Sequence, residues 1–149
     1  MFRKYHLWVI IIGFLITSGL VYSSDQICYQ SSCFDIEWAR DTKHRSVGLM
    51  YRDQLPKGSG MLFEFDYPHP YVFWMKNTFI TLDIIWLDPD FRIVHMSQMT
   101  PPCDRDPCPY YSSPRKALYV LEINGGIARQ LNMKVGTYFQ LVKESNPDA

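Results

Sequence analysis

What this chain lacks narrows it first. Its 15 acidic residues equal its 15 basic ones, and no long run of either sign occurs. A nucleic-acid binder carries a basic face, so the balance gives that class no support. There is no internal repeat, no linker-like stretch and no glycine-rich loop of the kind that cradles phosphate. His44, His69 and His95 are scattered and form no HExxH pair, so no histidine metal site is expected. Asp104 and Asp106 alone supply too few oxygens for calcium, which takes about six to eight. Ser59 sits in Gly58-Ser59-Gly60, which is not the GxSxG elbow of a serine hydrolase, and reads as a turn. No CxxC occurs, so thiol–disulfide catalysis has no sequence support. No cofactor and no metal are expected.

What is present fits one packed domain. The length of 149 residues suits one domain better than two, and 47% hydrophobic with 15% aromatic residues supplies a core. Residues 1–23 read as a signal peptide or N-terminal membrane anchor. Arg3 and Lys4 precede an apolar stretch from Leu7 to Tyr22, and Val21-Tyr22-Ser23 fits a cut before Ser24. The stretch falls short of the roughly 20 residues of a spanning helix, which favours cleavage. Either way residues 24–149 are expected outside the cytoplasm, periplasmic or secreted, touching membrane only through an uncleaved anchor.

Four cysteines stand as Cys28-x4-Cys33 and Cys103-x4-Cys108. An even count behind an export signal reads as disulfides, with three pairings open. The short spacings favour two local loops. A bridge between the two pairs and a four-thiolate zinc site are the alternatives.

Residues 33–39 alternate apolar and polar, as a half-buried strand does. Asp41 and Thr42 offer N-caps for a helix through about Tyr51, with Val47, Leu49 and Met50 on its buried side. Strands are expected over 61–65, 71–78, 82–87, 91–96, 116–123 and 135–142. Pro68 and Pro70 break the chain between the first two, and a second short helix fits 127–133. The pattern predicts a mostly β domain, a β-sandwich or jelly-roll-like fold with two short helices.

The run from Trp74 to Asp88 is oily yet holds Lys76, Asn77 and Asp83. Charged groups in such company need a partner or a pocket. Arg45 and Arg52, seven apart and able to share a helix face, join them with Glu122 as a candidate ligand-binding group. Guanidinium and ammonium groups beside carboxylates suit an anionic ligand. The plainer reading is a salt-bridge network in which Asp83 and Glu122 neutralise Arg45 and Arg52.

In order, Arg45-x-x-Gly48-Leu-Met-Tyr-Arg52, Leu55-Pro56, Gly60-Met-Leu-Phe-x-Phe65, Trp74 to Asp88, Tyr119-Val-Leu-Glu-Ile-Asn-Gly-Gly126 and Val135-Gly136 form one motif set. It resembles the DUF192 family of small, often exported bacterial domains, over about residues 33 to 142. Thr81 stands where that family commonly has Pro, and the Cys103–Cys108 loop looks like a variant of exported members. The resemblance implies a mostly β sandwich or jelly-roll and no assigned activity. Three functions follow. One is a non-enzymatic exported module binding a small anionic ligand, a glycan or an envelope protein. The second is a hydrolase or lyase using Asp83 and Glu122 as acid and base, which requires both carboxyls in one cleft. The third is a structural component of the cell envelope.

Overall fold

The computed structural model describes residues 24–144. The segment 1–23, read above as a signal peptide or membrane anchor, and the residues from Ser145 lie outside the described residues. The described residues form nine strands and two short helices, so the mostly β expectation holds. Strands β1 (Gln26–Tyr29) and β2 (Ser32–Ala39) make a hairpin in which Cys28 and Cys33 are cross-strand partners and are joined by a disulfide. Helix α1 (Thr42–Val47) and a loop then lead to β3 (Ser59–His69), which lies parallel to β2. A parallel neighbour cannot be reached by a tight turn, so the chain crosses over the sheet. That crossover buries Leu49 and Leu55 against Met61 and Phe63 and lays 42–58 over one sheet face.

After β4 (Val72–Trp74) come β5 (Leu82–Leu87), β6 (Ile93–Thr100), β7 (Tyr110–Ser112), β8 (Ala117–Asn124), α2 (Ile127–Gln130) and β9 (Gln140–Val142). Seven strands form one curled sheet in the order β6-β5-β8-β3-β2-β1-β9, and β4 and β7 form a small second sheet. The large sheet closes toward a barrel where Ile93 N–H donates to Thr137 O (2.8 Å), and Phe139 N–H to Phe91 O (2.9 Å). All six residues of β5 are buried. Each large apolar side chain so buried contributes about 1.5–3 kcal/mol.

The sheet has a core on each face. One gathers Leu62, Ile85, Leu121, Ile123 and Ala128 beneath α2. The other gathers Met61, Phe63, Ile84, Trp86 and Val120 beneath the crossover and the small sheet. Side chains alternate along each strand, so Ile84 and Trp86 of β5 face one core and Ile85 and Leu87 the other.

Some elements differ from the sequence reading. Asp41 caps α1 as expected, accepting from His44 N–H at 2.8 Å, but the helix ends at Val47. Gly48, at φ 50° and ψ −131°, takes a conformation that side-chain-bearing residues rarely adopt, and this stops the helix four residues early. Val47 is consequently exposed, while Leu49 is buried. Strand β3 runs through Pro68 to His69, with its register slipping between Glu64 and His69. The strand expected over 71–78 shrinks to three residues because its partner is β7, inside the proline- and cysteine-rich loop. The last strand is short because Val135–Phe139 closes the barrel instead.

Candidate functional site: the Glu122 cleft

Register decides the fate of the two carboxylates. Glu122 pairs with Ile84 on one side and Met61 on the other, and Met61 pairs with Glu37. These four residues form one row across the crossover face. Asp83 pairs with Ile123 in the adjacent row, so its side chain points to the opposite face. The acid–base pairing of Asp83 with Glu122 is therefore corrected: one register step turns the two groups away from each other, and they share no cleft.

Asp83 is fully buried and its oxygens are engaged. Oδ1 accepts from Met99 N–H (2.7 Å) and Gly126 N–H (3.0 Å), and Oδ2 accepts from Ala128 N–H (2.7 Å). It fastens β6 and the start of α2 to the sheet. Three backbone donors do here what a cation would do elsewhere.

The expected constellation separates into local pairs. Arg45 donates through Nη1 to the carbonyls of Arg40 and Glu64 and lies 5.5 Å from the centre of the Phe65 ring. Arg52 makes a two-pronged bond to Glu37 at 2.8 and 2.7 Å. That bond holds the Glu37 carboxyl below its ordinary range and raises the Arg52 pKa. Lys76 pairs with Asp106, across a bridge that ties Lys76 to Cys103. Asn77, at φ 55°, donates to the Tyr51 hydroxyl at 2.8 Å. Neither Asp83 nor Glu122 bonds to Arg45 or Arg52, so the simple neutralising network is absent among the described residues. The disulfides follow the two local loops, Cys28–Cys33 and Cys103–Cys108.

Glu122 is the group left over. It is 5% exposed, and its carboxyl makes no hydrogen bond or ion pair with the described residues. Burial pushes its pKa up to about 8, against the pull of the Arg52 charge. It lines a cleft of about 30 Å3 between α1 and the small sheet, walled by Arg45, Gly48, Phe63, Phe73, Trp74 and Thr78. About 10–15 Å3 admits one water, so the cleft takes a small end group. A Cβ on Gly48 would stand 3.2 Å from Phe63 Cζ and 4.0 Å from Glu122 Oε2, so glycine keeps this wall open as well as ending the helix. Outside, the half-exposed Trp74 ring lies parallel to Tyr110 with centroids 6.0 Å apart.

A larger cleft of about 630 Å3 lies at the other end of the crossover, bordered by Phe34, Leu55, Pro56, Asn124, Ile127 and Gln130. Its size suits a ligand. Asn124 is one of its polar residues, with Gln54, Lys57, Ser59 and Gln130, and its Nδ2 already donates to the carbonyls of Leu55 (3.0 Å) and Pro56 (3.4 Å). None of these is a buried ionisable group; the smaller cleft has one in Glu122. No cluster of three or more His, Cys, Asp or Glu able to hold a metal occurs among the described residues.

The sequence marks Phe73 and Trp74 only as aromatics able to stack on a flat ligand, and does not mark Gly48 and Thr78 as a wall. The signal for Gly48 was its place inside the Arg45–Arg52 motif. Glu37, Tyr51 and Asp106, the true partners of Arg52, Asn77 and Lys76, gave no signal in the sequence.

The DUF192 family profile, described as uncharacterized ACR, matches residues 26–141. A solved structure of a protein of unknown function from Novosphingobium aromaticivorans is 34% identical, with TM-score 0.70, covering 78% of this chain and 82% of that one. A Sinorhizobium meliloti structure, provisionally described as a transcription regulator, is 30% identical with TM-score 0.71, covering 78% of this chain and 91% of its own. No curated protein matches.

Proposed function

The chain belongs to the DUF192 family, and from that premise we propose that it is an exported, non-enzymatic binding module whose ligand site is the Glu122 cleft. One observation carries the reading. A carboxyl that is 5% exposed, and that no described residue bonds, faces a cleft beside half-exposed Trp74. No side-chain polar atom sealed from solvent lacks a partner among the described residues, so the Glu122 oxygens, which no residue bonds, open onto the cleft, where a ligand or water can reach them. Among the described residues that line the cleft there is no nucleophile–base pair and no second carboxyl, so binding fits better than catalysis. The aromatic pair Trp74 and Tyr110 offers a platform for a flat or sugar-like body outside the cleft. Export is supported by the basic then apolar segment before Ser24 and by two disulfides. Among the described residues no helix is long and apolar enough to cross a membrane. The balance of 15 acidic and 15 basic residues gives no reason to carry over the regulator description of the Sinorhizobium relative.

The test is a titration of 15N-labelled protein with small acids, amines and short glycans, followed by amide and indole NMR signals. At least one compound is expected to cause saturable shifts centred on Gly48, Thr78 and the Trp74 indole. Silence at these positions across the whole panel, or shifts confined to Asn124 and Ile127, would defeat the assignment of the site. N-terminal sequencing of protein from an envelope fraction is expected to begin at Ser24; recovery only from the cytoplasm would defeat export.

A further inference from the structure

We propose that the Glu122 cleft receives the carboxylate of a small acid, with the Glu122 carboxyl donating a hydrogen bond to one oxygen and Arg45 supplying the cationic wall. This deepens the preceding reading and rests on the cleft being the ligand site.

The geometry favours an acid over an amine. A carboxyl 5% exposed and unbonded is favoured in its neutral form, and a neutral carboxyl brings one O–H donor. The pKa of about 8 agrees with that form near neutral pH. The charged groups that face it come from two directions. Arg45 lines the cleft from α1, and the field of Arg52 reaches it from the crossover loop. Glu37, in the same row on β2, is taken up by Arg52. The remaining strands present uncharged groups, Ile84 from β5, Phe63 from β3, and Phe73 with Trp74 from β4. The cleft is thus a donor site beside positive charge. An ammonium group would have to ionise Glu122 and enter a cleft that Arg45 lines and that the Arg52 charge reaches.

Arg45 retains the means to bind. Only its Nη1 is engaged, by the carbonyls of Arg40 and Glu64, so Nε and Nη2 keep donors without partners among the described residues. A guanidinium suits a carboxylate better than an ammonium does, because its planar fork matches two oxygens. The volume of about 30 Å3 admits an end group and not a whole molecule. The body of the acid then lies over the Trp74 ring, which is 42% exposed and backed by Tyr110. A flat acid satisfies both demands.

Benzoate is the probe and benzylammonium its control, each titrated into 15N-labelled protein at pH 7 and pH 9. Benzoate is expected to shift Gly48, Thr78 and the Trp74 indole, with Kd rising about tenfold between the two pH values as the protonated fraction of Glu122 falls. Glu122→Gln keeps a donor of the same shape, so its benzoate Kd is expected to stay level between pH 7 and pH 9. Benzylammonium shifting the same signals, and tightening as pH rises, would overturn the acid assignment while leaving the cleft as the site. Benzoate binding equally at both pH values in the native protein would overturn Glu122 as the donor. Silence from both probes, extended across the wider panel, would remove the site itself.

Discussion

The two faces of the central sheet carry one buried carboxylate each, and the two are treated in opposite ways. Asp83 and Glu122 stand on neighbouring strands in adjacent rows. Asp83 receives three backbone N–H groups and anchors β6 and α2. Glu122 receives none and faces a cleft that Arg45 helps to wall. The difference lies in what the chain lays over each face. On the Asp83 side it lays the amides of a turn and a helix start, which consume a negative charge. On the Glu122 side it lays a glycine, aromatic rings, Arg52 committed to Glu37, and Arg45 with only its Nη1 engaged. Burial alone therefore does not separate the two groups; what differs is whether protein donors or an open cleft meet the carboxyl oxygens.

Removing the charge on the saturated side is expected to have the largest effect. Asp83→Asn replaces one acceptor oxygen by an NH2 group that faces backbone donors. Bonds to a charged group contribute about 1.5–3 kcal/mol each, so the change should cost about 5 kcal/mol in urea unfolding. A loss below about 1 kcal/mol would erase the contrast between the two faces. On the other side the sign reverses. The folded-state pKa of Glu122 lies near 8, above the 4.5 of an ordinary glutamate. Its contribution to stability is complete below pH 4.5 and is lost as pH rises to about 8, because only the unfolded chain ionises across that interval. At about 1.4 kcal/mol per pH unit the loss reaches on the order of 4 kcal/mol. Glu122→Gln is expected to match the native protein at pH 4, to exceed its stability by a similar amount at pH 8, and to flatten the profile between. A native protein whose unfolding free energy shows no decline between pH 5 and pH 8 beyond that of the Gln variant would sharpen the comparison the other way, making Glu122 an ordinary solvated acid.

The sequence held the strands but not their register. The strand at 33–39, the fully buried strand at 82–87 and the one at 116–123 were legible from period and composition, as were the Asp41 cap and the local cysteine loops. The facing of Asp83 and Glu122 was not, because it depends on how β5 and β8 align, and a slip of one residue exchanges every side chain between the cores. The grouping of Arg45 with Arg52 rested on a helix long enough to hold both, and Gly48 ends that helix between them. Lys76 finds Asp106 only because β7 brings the cysteine loop beside β4, a pairing hidden in a segment rich in proline. Glu37 looked like any polar residue on the outer side of an alternating strand, yet its row includes Glu122. What escaped the sequence was set by contacts between distant segments, and the candidate site is made almost wholly of such contacts.

The smallest expected change concerns Arg52, the one cation felt by both Glu37 and Glu122. Its bond to Glu37 is partly exposed, with about a third of the Arg52 side chain and half of the Glu37 side chain open to solvent. Solvent screening limits such a pair to about 0–1 kcal/mol, so Arg52→Ala should lower stability by no more than that. Its electrical effect is more specific. Without the guanidinium the Glu37 carboxyl rises toward its ordinary range, and Glu122 titrates above its present value of about 8, since the Arg52 charge is what now holds it down. Carboxyl 13C shifts followed through a pH titration report the two groups separately. Movement of both would establish Arg52 as the link between the open side of the sheet and the cleft. Movement of Glu37 alone would show that the Arg52 charge does not reach the cleft, and would leave the proposed acid ligand with Arg45 as the cationic residue in the wall.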